Sequence, residues 1–574
     1  MSTSNEARIR EQDSPLSDPE QAQPVHGCPA GSSLSKYFLL ILVCLLFYIP
    51  GLFTIPPLDR DEARFAQATK QMVESRDFVR ISFQNTPRNK KPIGIYWLQA
   101  ASVELLSGAA GYRKIWPYRI PSLLGAIFSV LLTFAIGKRL FGERSGFLGA
   151  LLCSSSILLV VEAHLATTDA ALLAAIMASQ CALSRFYLRE DKSKPAGGGA
   201  FLTFWIAQAL GILVKGPVAP MIALLTIGCL TAVDRDAGWL KGLRPFSGLA
   251  LTALLVSPWM IAIGLATKGA FFRQAVVGDF LSKVASGQES HGFPPGFYLV
   301  LLPLTLWPGS SLAGVALFRA WKQRSTAALR FCLAWALPAW MVFELVPTKL
   351  PHYVLPLYPV LCLLIAHTII SGEEGTAPEL DFKLVRTGYA ACQLVVLLLG
   401  LGCLALPWFL QHRFAPLGLV PASAGVAGAL LSTRSFFNRR YLRATAIAIA
   451  ATALVLAPGL QWILPGVDSL WLSRSVGDAA AQLRGKEVTL CSAGYDEPSL
   501  VFLLGAGTLL TSADKAAGFL QDHPGALALV DRGQTADFLK RSDKLGLHVK
   551  QVGAFSGINY SKGKHMLLLL YSVR

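Results

Sequence analysis

The run FSGLALTALLVSPWMIAIGLA at residues 246–266 holds no charged side chain over its 21 positions. About 20 consecutive apolar residues are enough for a helix to cross the hydrocarbon core of a bilayer. Further apolar runs of this kind lie at residues 36–56, 117–137, 146–163, 168–188, 201–214, 217–233, 295–318, 329–346, 351–370, 384–409, 416–433 and 441–464. The sequence therefore predicts a polytopic α-helical membrane protein with about 13 transmembrane helices.

The composition agrees with a membrane protein. Of the 574 residues, 53% are apolar and 15% are charged, whereas soluble domains carry about a quarter charged residues. This excludes a disordered protein, a coiled coil and a disulfide-stapled secreted module. In a membrane protein, the net charge of +17 mainly reflects the Lys and Arg residues of the loops that stay on the cytoplasmic side. No basic helix or aromatic-interleaved basic patch is found, so we expect no nucleic-acid partner.

The positions of the basic residues orient the chain. Residues 1–34 are polar and read as a disordered cytoplasmic tail. A short apolar piece at 93–108 contains Glu104, and we exclude it as a span because including it would reverse the side of every later loop. With it excluded, 20 Lys and Arg fall in six inner loops, which are Lys138–Arg144, Arg185–Lys194, Arg235–Arg244, Arg319–Arg330, Lys383–Arg386 and Arg434–Arg443.

Within the transmembrane region at 35–464, alternation of the spans places the larger loops outside. Residues 57–116 form a first outer loop with interfacial helices, and residues 267–293 form a second. The C-terminal segment, residues 465–574, turns soluble and also lies outside. Its predicted strands lie at 487–492, 508–511, 526–531, 547–555 and 564–572, with helices at 498–505, 513–523 and 535–545. This alternation predicts a small three-layer α/β domain.

The stretch Asp59–Arg64 places three carboxylates and two guanidiniums within six residues, directly after the first span. Two interpretations stay open. Acidic residues are favourable at a helix start because of the helix dipole. Alternatively, an arginine holds a carboxylate that accepts a proton or orients an acceptor.

Further ionisable residues crowd the same outer face. Arg88, Lys90 and Lys91 precede the aromatic pair Tyr96 and Trp97, which is typical of an interface anchor but also suits a lipid phosphate. The first outer loop carries ten Lys and Arg, against the topology bias. Polar residues at the outer ends of spans complete the set: Glu162, His164, Asp169, Lys215, Lys349, His352 and Tyr353. Together they predict an interfacial cavity for a lipid that carries a phosphate.

Four short motifs carry a family resemblance. They are DEARFA at 61–66, KPIGIYWL at 91–98, VKGP at 214–217 and KLPHYVLP at 349–356. Together, and in this order, they resemble signatures of the aminoarabinose transferase family. That family belongs to the GT-C membrane glycosyltransferases and is related to protein O-mannosyltransferases. The resemblance covers about residues 36–370.

The resemblance implies an enzyme of the bacterial inner membrane. It would move a sugar, 4-amino-4-deoxy-L-arabinose or a related one, from an undecaprenyl-phosphate carrier to lipid A or another acceptor on the periplasmic side. Asp61 would be the catalytic carboxylate, with Arg64 beside it, and Lys91 would hold the donor phosphate. By the same resemblance, the substrate-binding residues would also include Asp169, Lys215, Lys349 and Tyr353. The residues that support the site would be Glu62, Lys90, Tyr96 and His352.

One departure from the family pattern concerns Lys90. The family usually has Glu before Lys-Pro, so this chain lacks a carboxylate that could bind a metal. This argues against a divalent metal requirement, and no metal ligands or other cofactors are assigned. It also leaves a core-oligosaccharide or protein O-mannosyltransferase-like acceptor open.

A flippase for lipid-linked sugars is the alternative from another class. Transporters place polar sites near the midplane, often in repeated halves, and no such halves are found. A non-catalytic assembly protein would not need paired acidic and basic clusters. The sequence therefore favours an enzyme.

Overall fold

The computed structural model describes residues 30–108, 111–189, 197–282, 292–485 and 488–573. Within these residues, nine helices are long and apolar enough to cross a membrane: Trp116–Ser155, Asp169–Tyr187, Gly198–Lys215, Pro245–Ala266, Ala327–Leu345, Pro351–Glu373, Lys383–Gln411, Pro416–Phe437 and Tyr441–Gly466. Ala30–Tyr48 and Val218–Asp234 form two further apolar helices. A polytopic helical membrane protein is thus confirmed, while the count of 13 spans stays a prediction.

The helix Trp116–Ser155 is a hairpin of two helices rather than one rod. Gly142 breaks it with φ 82° and ψ 171°, a backbone conformation that only glycine adopts easily. The two arms meet so closely that a Cβ added to Gly137 would lie 2.6 Å from the Cα of Gly146. The runs at 117–137 and 146–163 are therefore separate arms, and the second arm breaks again at Ser156 before the helix Ile157–Ala163.

The predicted span 295–318 is also interrupted. It consists of the helix Phe297–Thr305, a short turn at Ser310–Leu312 and the helix Ala313–Lys322. At the N-terminus, the first helix begins at Ala30, so the polar tail ends before residue 34. Residues 1–29 lie outside the described residues.

The first outer loop folds into short elements on the end of the bundle. The helix Asp61–Ser75 leads to a hairpin of β1 (Ser82–Phe83) and β2 (Thr86–Pro87), and the helix Gly94–Leu106 follows. That last helix has 13 residues, or about 20 Å at 1.5 Å per residue, which is too short for a bilayer core of about 30 Å. This agrees with its exclusion from the spans.

The second outer loop, where it is described, is mainly helical over residues 270–281. Ala270–Phe272 and Arg273–Leu281 continue one another and bring Asp279 to the first outer loop. The predicted residues 283–291 of this loop lie outside the described residues.

The C-terminal segment contains five strands: β3 (Leu490–Ala493), β4 (Leu509–Thr511), β5 (Leu527–Asp531), β6 (Val549–Asn559) and β7 (Lys564–Val573). Their order is β4-β3-β5-β7-β6. β3 is parallel to β4 and β5, whereas β7 is antiparallel to β5 and β6.

Helices cover both faces of this sheet. Successive side chains of β5 point to opposite faces, so both faces carry apolar residues that need to be covered. Leu527 and Leu529 pack with the helices Leu472–Arg484 and Pro498–Leu504. Ala528 and Val530 pack on the other face, and the helices on that side are Ala513–Asp522 and Thr535–Lys544. The helix Leu472–Arg484 was not expected from the sequence.

Candidate active site

Two adjoining cavities lie where the first outer loop, several helix ends and the C-terminal segment meet. The inner cavity has a volume of about 320 Å³ and reaches between the helix ends to Asp169 and Lys215. The outer cavity, of about 730 Å³, lies against Asp496, Ser561 and Lys562 of the C-terminal segment. The side chains that line both cavities are Arg60, Arg64, Arg88, Lys90 and Asp279.

Asp61 is the first residue of the helix Asp61–Ser75 and lines the inner cavity. Arg60 before it has φ 64° and ψ −111°, outside the helical region, so the helix starts abruptly at Asp61. The Asp61 side chain is 60% exposed, and its Oδ1 lies 3.9 Å from Arg88 Nη2. Its position at a helix start is favourable, but its exposure to the cavity leaves it available to a substrate.

The neighbouring carboxylate of Glu62 is engaged in a buried ion pair. Arg119 donates to it through Nε at 2.7 Å and Nη2 at 2.9 Å, and both side chains are almost fully buried. The backbone N–H groups of Leu58 and Ala166 complete its coordination at 2.8 and 3.0 Å. Glu62 therefore holds the start of the first outer loop through a network that its sequence position does not reveal.

Arg88, Phe65 and Tyr96 form a stack behind the cavity. The Arg88 guanidinium lies 5.1 Å from the centre of the Phe65 ring, which is 5.4 Å from that of Tyr96. Tyr96 is fully buried, so it can only support the site from behind. Arg88 itself lines both cavities and belongs with the substrate-facing cations, although the motif comparison singled out Lys91 instead.

Lys91 lines the inner cavity, where Asp279 of the second outer loop holds its ammonium at 2.9 Å. Lys90 is exposed and lines both cavities. Asp279 is a residue that sequence reasoning missed, because it stands alone in a loop without a motif.

Asp169 and Lys215 meet at the inner end of the same cavity. Their side chains form a buried salt bridge of 2.5 Å between Oδ1 and Nζ. The Lys215 ammonium also lies 5.2 Å from the centre of the Tyr353 ring, within cation–π range. The structure thus brings together Lys215 and Tyr353, from two separate motifs, and Asp169, which lies outside all four motifs.

His352 and Glu162 lie beside this pair. The His352 ring nitrogens are 3.6 Å from Glu162 Oε1 and 3.9 Å from Asp169 Oδ2. Glu162 lines the cavity, whereas His164 bonds with its ring nitrogens to the carbonyls of Val160 and Pro50. Glu162 was noticed in the sequence as an ionisable residue but was not assigned to the site.

Lys349 does not join the site, in contrast to its predicted role in substrate binding. Its side chain is buried, and its ammonium donates to the carbonyls of Phe293 and Val346 at 3.0 and 2.7 Å. The neighbouring Thr348 and Leu350 line the inner cavity instead. Lys349 therefore fixes the backbone next to the cavity.

The described residues offer no cluster of three or more His, Cys, Asp or Glu side chains suited to a metal ion. At the position where the family carries Glu, Lys90 adds a positive charge, and Asp279 is engaged by Lys91. A divalent metal therefore does not fit this constellation.

The C-terminal segment forms hydrogen bonds with the first outer loop at Asp59. Ser499 donates to Asp59 Oδ1, and the backbone N–H of Asp59 donates to the Tyr560 hydroxyl at 2.8 Å. Next to it, the Arg60 guanidinium donates to the carbonyl of Ser561. Burial raises the pKa of Asp59 to about 7, and the nearby Glu497 adds to the shift.

We call the contact between Asp59 and Ser499 the latch. The raised pKa of Asp59 predicts that the contribution of this latch to stability depends on pH. Because the folded state favours the protonated Asp59, stability should fall as pH rises from about 4 through 7. Asp59→Asn keeps an acceptor for Ser499 but cannot ionise, so its melting temperature should decline less over that range. Thermal melting of both proteins in detergent from pH 4.5 to 8 tests this. Parallel curves would contradict the assignment.

Comparisons with known proteins place this geometry in context. Residues 90–261 match the family model described as dolichyl-phosphate-mannose-protein mannosyltransferase. The undecaprenyl phosphate-alpha-4-amino-4-deoxy-L-arabinose arabinosyl transferase of Edwardsiella ictaluri is 27% identical over 532 residues, 87% of this chain and 93% of that protein. The protein of the same name from Pseudomonas aeruginosa is 30% identical over 57% of this chain and 59% of its own length.

A solved structure shows the same fold. ArnT from Cupriavidus metallidurans, crystallised bound to undecaprenyl phosphate, aligns with a TM-score of 0.73 over 94% of this chain and 98% of its own, at 16% identity. These matches confirm the resemblance that the four motifs indicate, the GT-C fold and the assignment of the chain as a glycosyltransferase.

Proposed function

We propose that this chain, a multi-pass membrane glycosyltransferase similar to the aminoarabinose transferases, moves an amino sugar from undecaprenyl phosphate to a lipid A phosphate. The observation that carries the proposal is the pair of adjoining cavities, which share the cations Arg60, Arg64, Arg88 and Lys90, with Asp61 in the lining of the inner one. A transferase must bring a donor and an acceptor to one point, and two connected cavities provide for both.

The donor fits the inner cavity. Its phosphate would lie among Arg64, Arg88 and Lys91, where positive side chains face the cavity. An ammonium has three N–H donors, so Lys91 can keep its bond to Asp279 and still donate to a phosphate oxygen. As the bond between the sugar and the phosphate oxygen breaks, negative charge builds on the leaving phosphate, and these cations stabilise it.

The acceptor fits the outer cavity and approaches the sugar past Asp61. If the acceptor is a hydroxyl, Asp61 takes its proton as the new glycosidic bond forms. A phosphate acceptor is already ionised near neutral pH, and Asp61 then serves to orient it or Arg88. The cationic rim of Arg60, Arg64 and Lys90 favours an anionic acceptor such as a lipid A phosphate.

Lys91→Ala should lower turnover sharply, whereas Lys90→Ala should have a smaller effect. Lys91 is held by Asp279 inside the donor cavity, while the Lys90 side chain is exposed at its edge. The measurement is sugar release from a labelled polyprenyl-phosphate donor at equal membrane expression. Equal turnover of Lys91→Ala and wild type would overturn the assignment of the phosphate site.

The proposed orientation places the site on the periplasmic face, supported by the basic inner loops. Reporter fusions in the loop at 323–326 should give a cytoplasmic signal, and fusions at Gly533 should give a periplasmic one. A periplasmic signal from the first or a cytoplasmic one from the second would contradict this topology.

Mass spectrometry of lipid A from cells with and without the gene tests the whole proposal. We expect a mass difference of one amino-pentose on a lipid A phosphate. Unchanged lipid A would contradict the acceptor, and core oligosaccharide and glycoproteins would then be compared in the same two strains.

A further inference from the structure

We infer that Lys562 of the C-terminal segment binds a second phosphate of the acceptor, apart from the group that reacts beside Asp61. The inference rests on the proposed function, since it concerns the acceptor in the outer cavity. It starts from the turn at residues 560–563, which joins β6 to β7 and brings Ser561 and Lys562 to that cavity.

Hydrogen bonds from two sides fix this turn. The buried carboxylate of Glu497 accepts from the Ser561 hydroxyl and from Asn559 Nδ2, the latter at 2.8 Å. The backbone N–H of Lys562 donates to Asn559 Oδ1 at 3.1 Å. On the side of the first outer loop, the Arg60 guanidinium donates to the Ser561 carbonyl. A hairpin turn forms without a buried carboxylate, whereas a binding site gains from a backbone that is held in place before the ligand arrives.

Lys562 can bind a ligand without giving up a strong partner. Its ammonium pairs with Asp496, and the two side chains are 43% and 61% exposed. A pair as exposed as this one holds its members only weakly. An ammonium also has three N–H donors, so it can donate to a phosphate oxygen while it still contacts Asp496. The pair therefore leaves Lys562 available to an anion.

The outer cavity has charge and room for more than one anionic group. Lys562 joins the four cations that the two cavities share, so five cations face three carboxylates in its described lining. Two of these carboxylates, Asp279 and Glu497, already accept hydrogen bonds from Lys91 and from the turn. At about 730 Å³, the cavity lies in the range of sites for drug-sized ligands, which are larger than one phosphate.

The position of Lys562 separates this anion from the reacting group. Of the two cavities, Lys562 lines only the outer one and Asp61 only the inner one. A phosphate on Lys562 is therefore not the group that meets the sugar beside Asp61. Lipid A carries two phosphates on one disaccharide, so a single acceptor molecule can supply both groups.

The test measures the acceptor KM for lipid A with two phosphates, using the full-length protein in detergent and labelled donor. Lys562→Ala should raise this KM by about tenfold, the low end for a hydrogen bond to a charged group, because solvent screens the half-exposed ammonium. The kcat and the donor KM should change little, since the contact is made to a group that does not react. Lys562→Arg keeps the charge and should stay close to wild type.

Asp496→Asn gives a readout that a purely structural role would not give. It removes the carboxylate that competes with a phosphate for Lys562, so the acceptor KM should fall by about two- to fivefold, the range of an exposed ion pair. If the pair only braced the turn, Lys562→Ala and Asp496→Asn would both raise the KM. Asp468 of the same segment pairs with Arg474 and lines neither of the two cavities, so Asp468→Asn is the matched control and should leave the KM unchanged.

A lipid A form with a single phosphate identifies the group that Lys562 binds. This form keeps the phosphate that wild type modifies, which mass spectrometry of the product identifies, and lacks the other one. Its KM with wild type should match that of Lys562→Ala with the full acceptor, and Lys562→Ala should raise it no further.

Three results would overturn the inference: an unchanged acceptor KM in Lys562→Ala, the same KM of wild type for both lipid A forms, or an equal rise for both forms in Lys562→Ala. Transfer to neither form by wild type would instead refute the proposed function, and the inference with it.

Discussion

Asp61→Asn should lower turnover by about 10²–10⁴, the range that a general base typically contributes, while the protein still folds. Folding should survive because the Asp61 side chain is 60% exposed and its ion pair with Arg88 is long, at 3.9 Å. Asparagine keeps the shape and loses the charge. The measurement is sugar release from labelled donor by purified protein between pH 5 and 9.

A second carboxylate in the same loop provides the control. Asp77 is half-buried and accepts hydrogen bonds from the backbone N–H groups of Val79 and Arg80 at 3.0 Å, and it lines neither cavity. Asp77→Asn should leave turnover unchanged. If Asp61→Asn retains most of the wild-type rate at every pH, Asp61 is not the catalytic carboxylate.

The same pH series reports on the acceptor. A hydroxyl acceptor needs a base, so wild-type turnover should fall when that base is protonated at low pH. A phosphate acceptor needs no base near neutral pH. A flat wild-type profile together with an inactive Asp61→Asn would therefore favour the phosphate acceptor, with Asp61 as an orienting group.

Arg119→Met should destabilise the protein by about 3–5 kcal/mol, because it leaves the Glu62 carboxylate buried without its partner. Arg119 also donates to the carbonyls of Leu52, Ile55 and Pro56, so the whole start of the first outer loop loses its support. Glu62→Gln should be severe as well, because it leaves the buried Arg119 guanidinium without its carboxylate partner. The measurement is thermal melting in detergent, with folded yield from membranes.

Arg76→Met is the matched control for this prediction. Arg76 pairs with Glu104 at 3.3 Å, but the two side chains are 66% and 35% exposed. Exposed pairs contribute about 1 kcal/mol or less, so this variant should melt close to wild type. A similar decrease in melting temperature for Arg119→Met and Arg76→Met would show that the buried pair of Arg119 and Glu62 does not stabilise the protein more than an exposed pair does.

Asp61 starts a helix, Lys215 ends one and Tyr353 precedes another, and all three line the inner cavity. The apolar runs together with the basic inner loops predict that residues at these span ends share one face of the membrane. Lys349 shows the limit of this reasoning. A lysine at a span end can face the cavity or the backbone, and only the position of the Val346 carbonyl decides.

The fold, too, could be predicted only in part from the sequence. Hydropathy finds apolar runs but not their interruptions, since Ser156 breaks the run at 146–163 without adding a charge. Asp279 was missed because it reaches the site from a loop 188 residues away from Lys91. Pairings over such distances depend on how helices pack, which a local pattern does not contain.

The latch between Asp59 and Ser499 joins residues that lie 440 positions apart in the chain. A ribosome therefore makes Asp61 and the helices around it long before it makes the group that holds their loop. Activity should appear only when residues 497–561 have been translated and delivered to the same side of the membrane as the first outer loop.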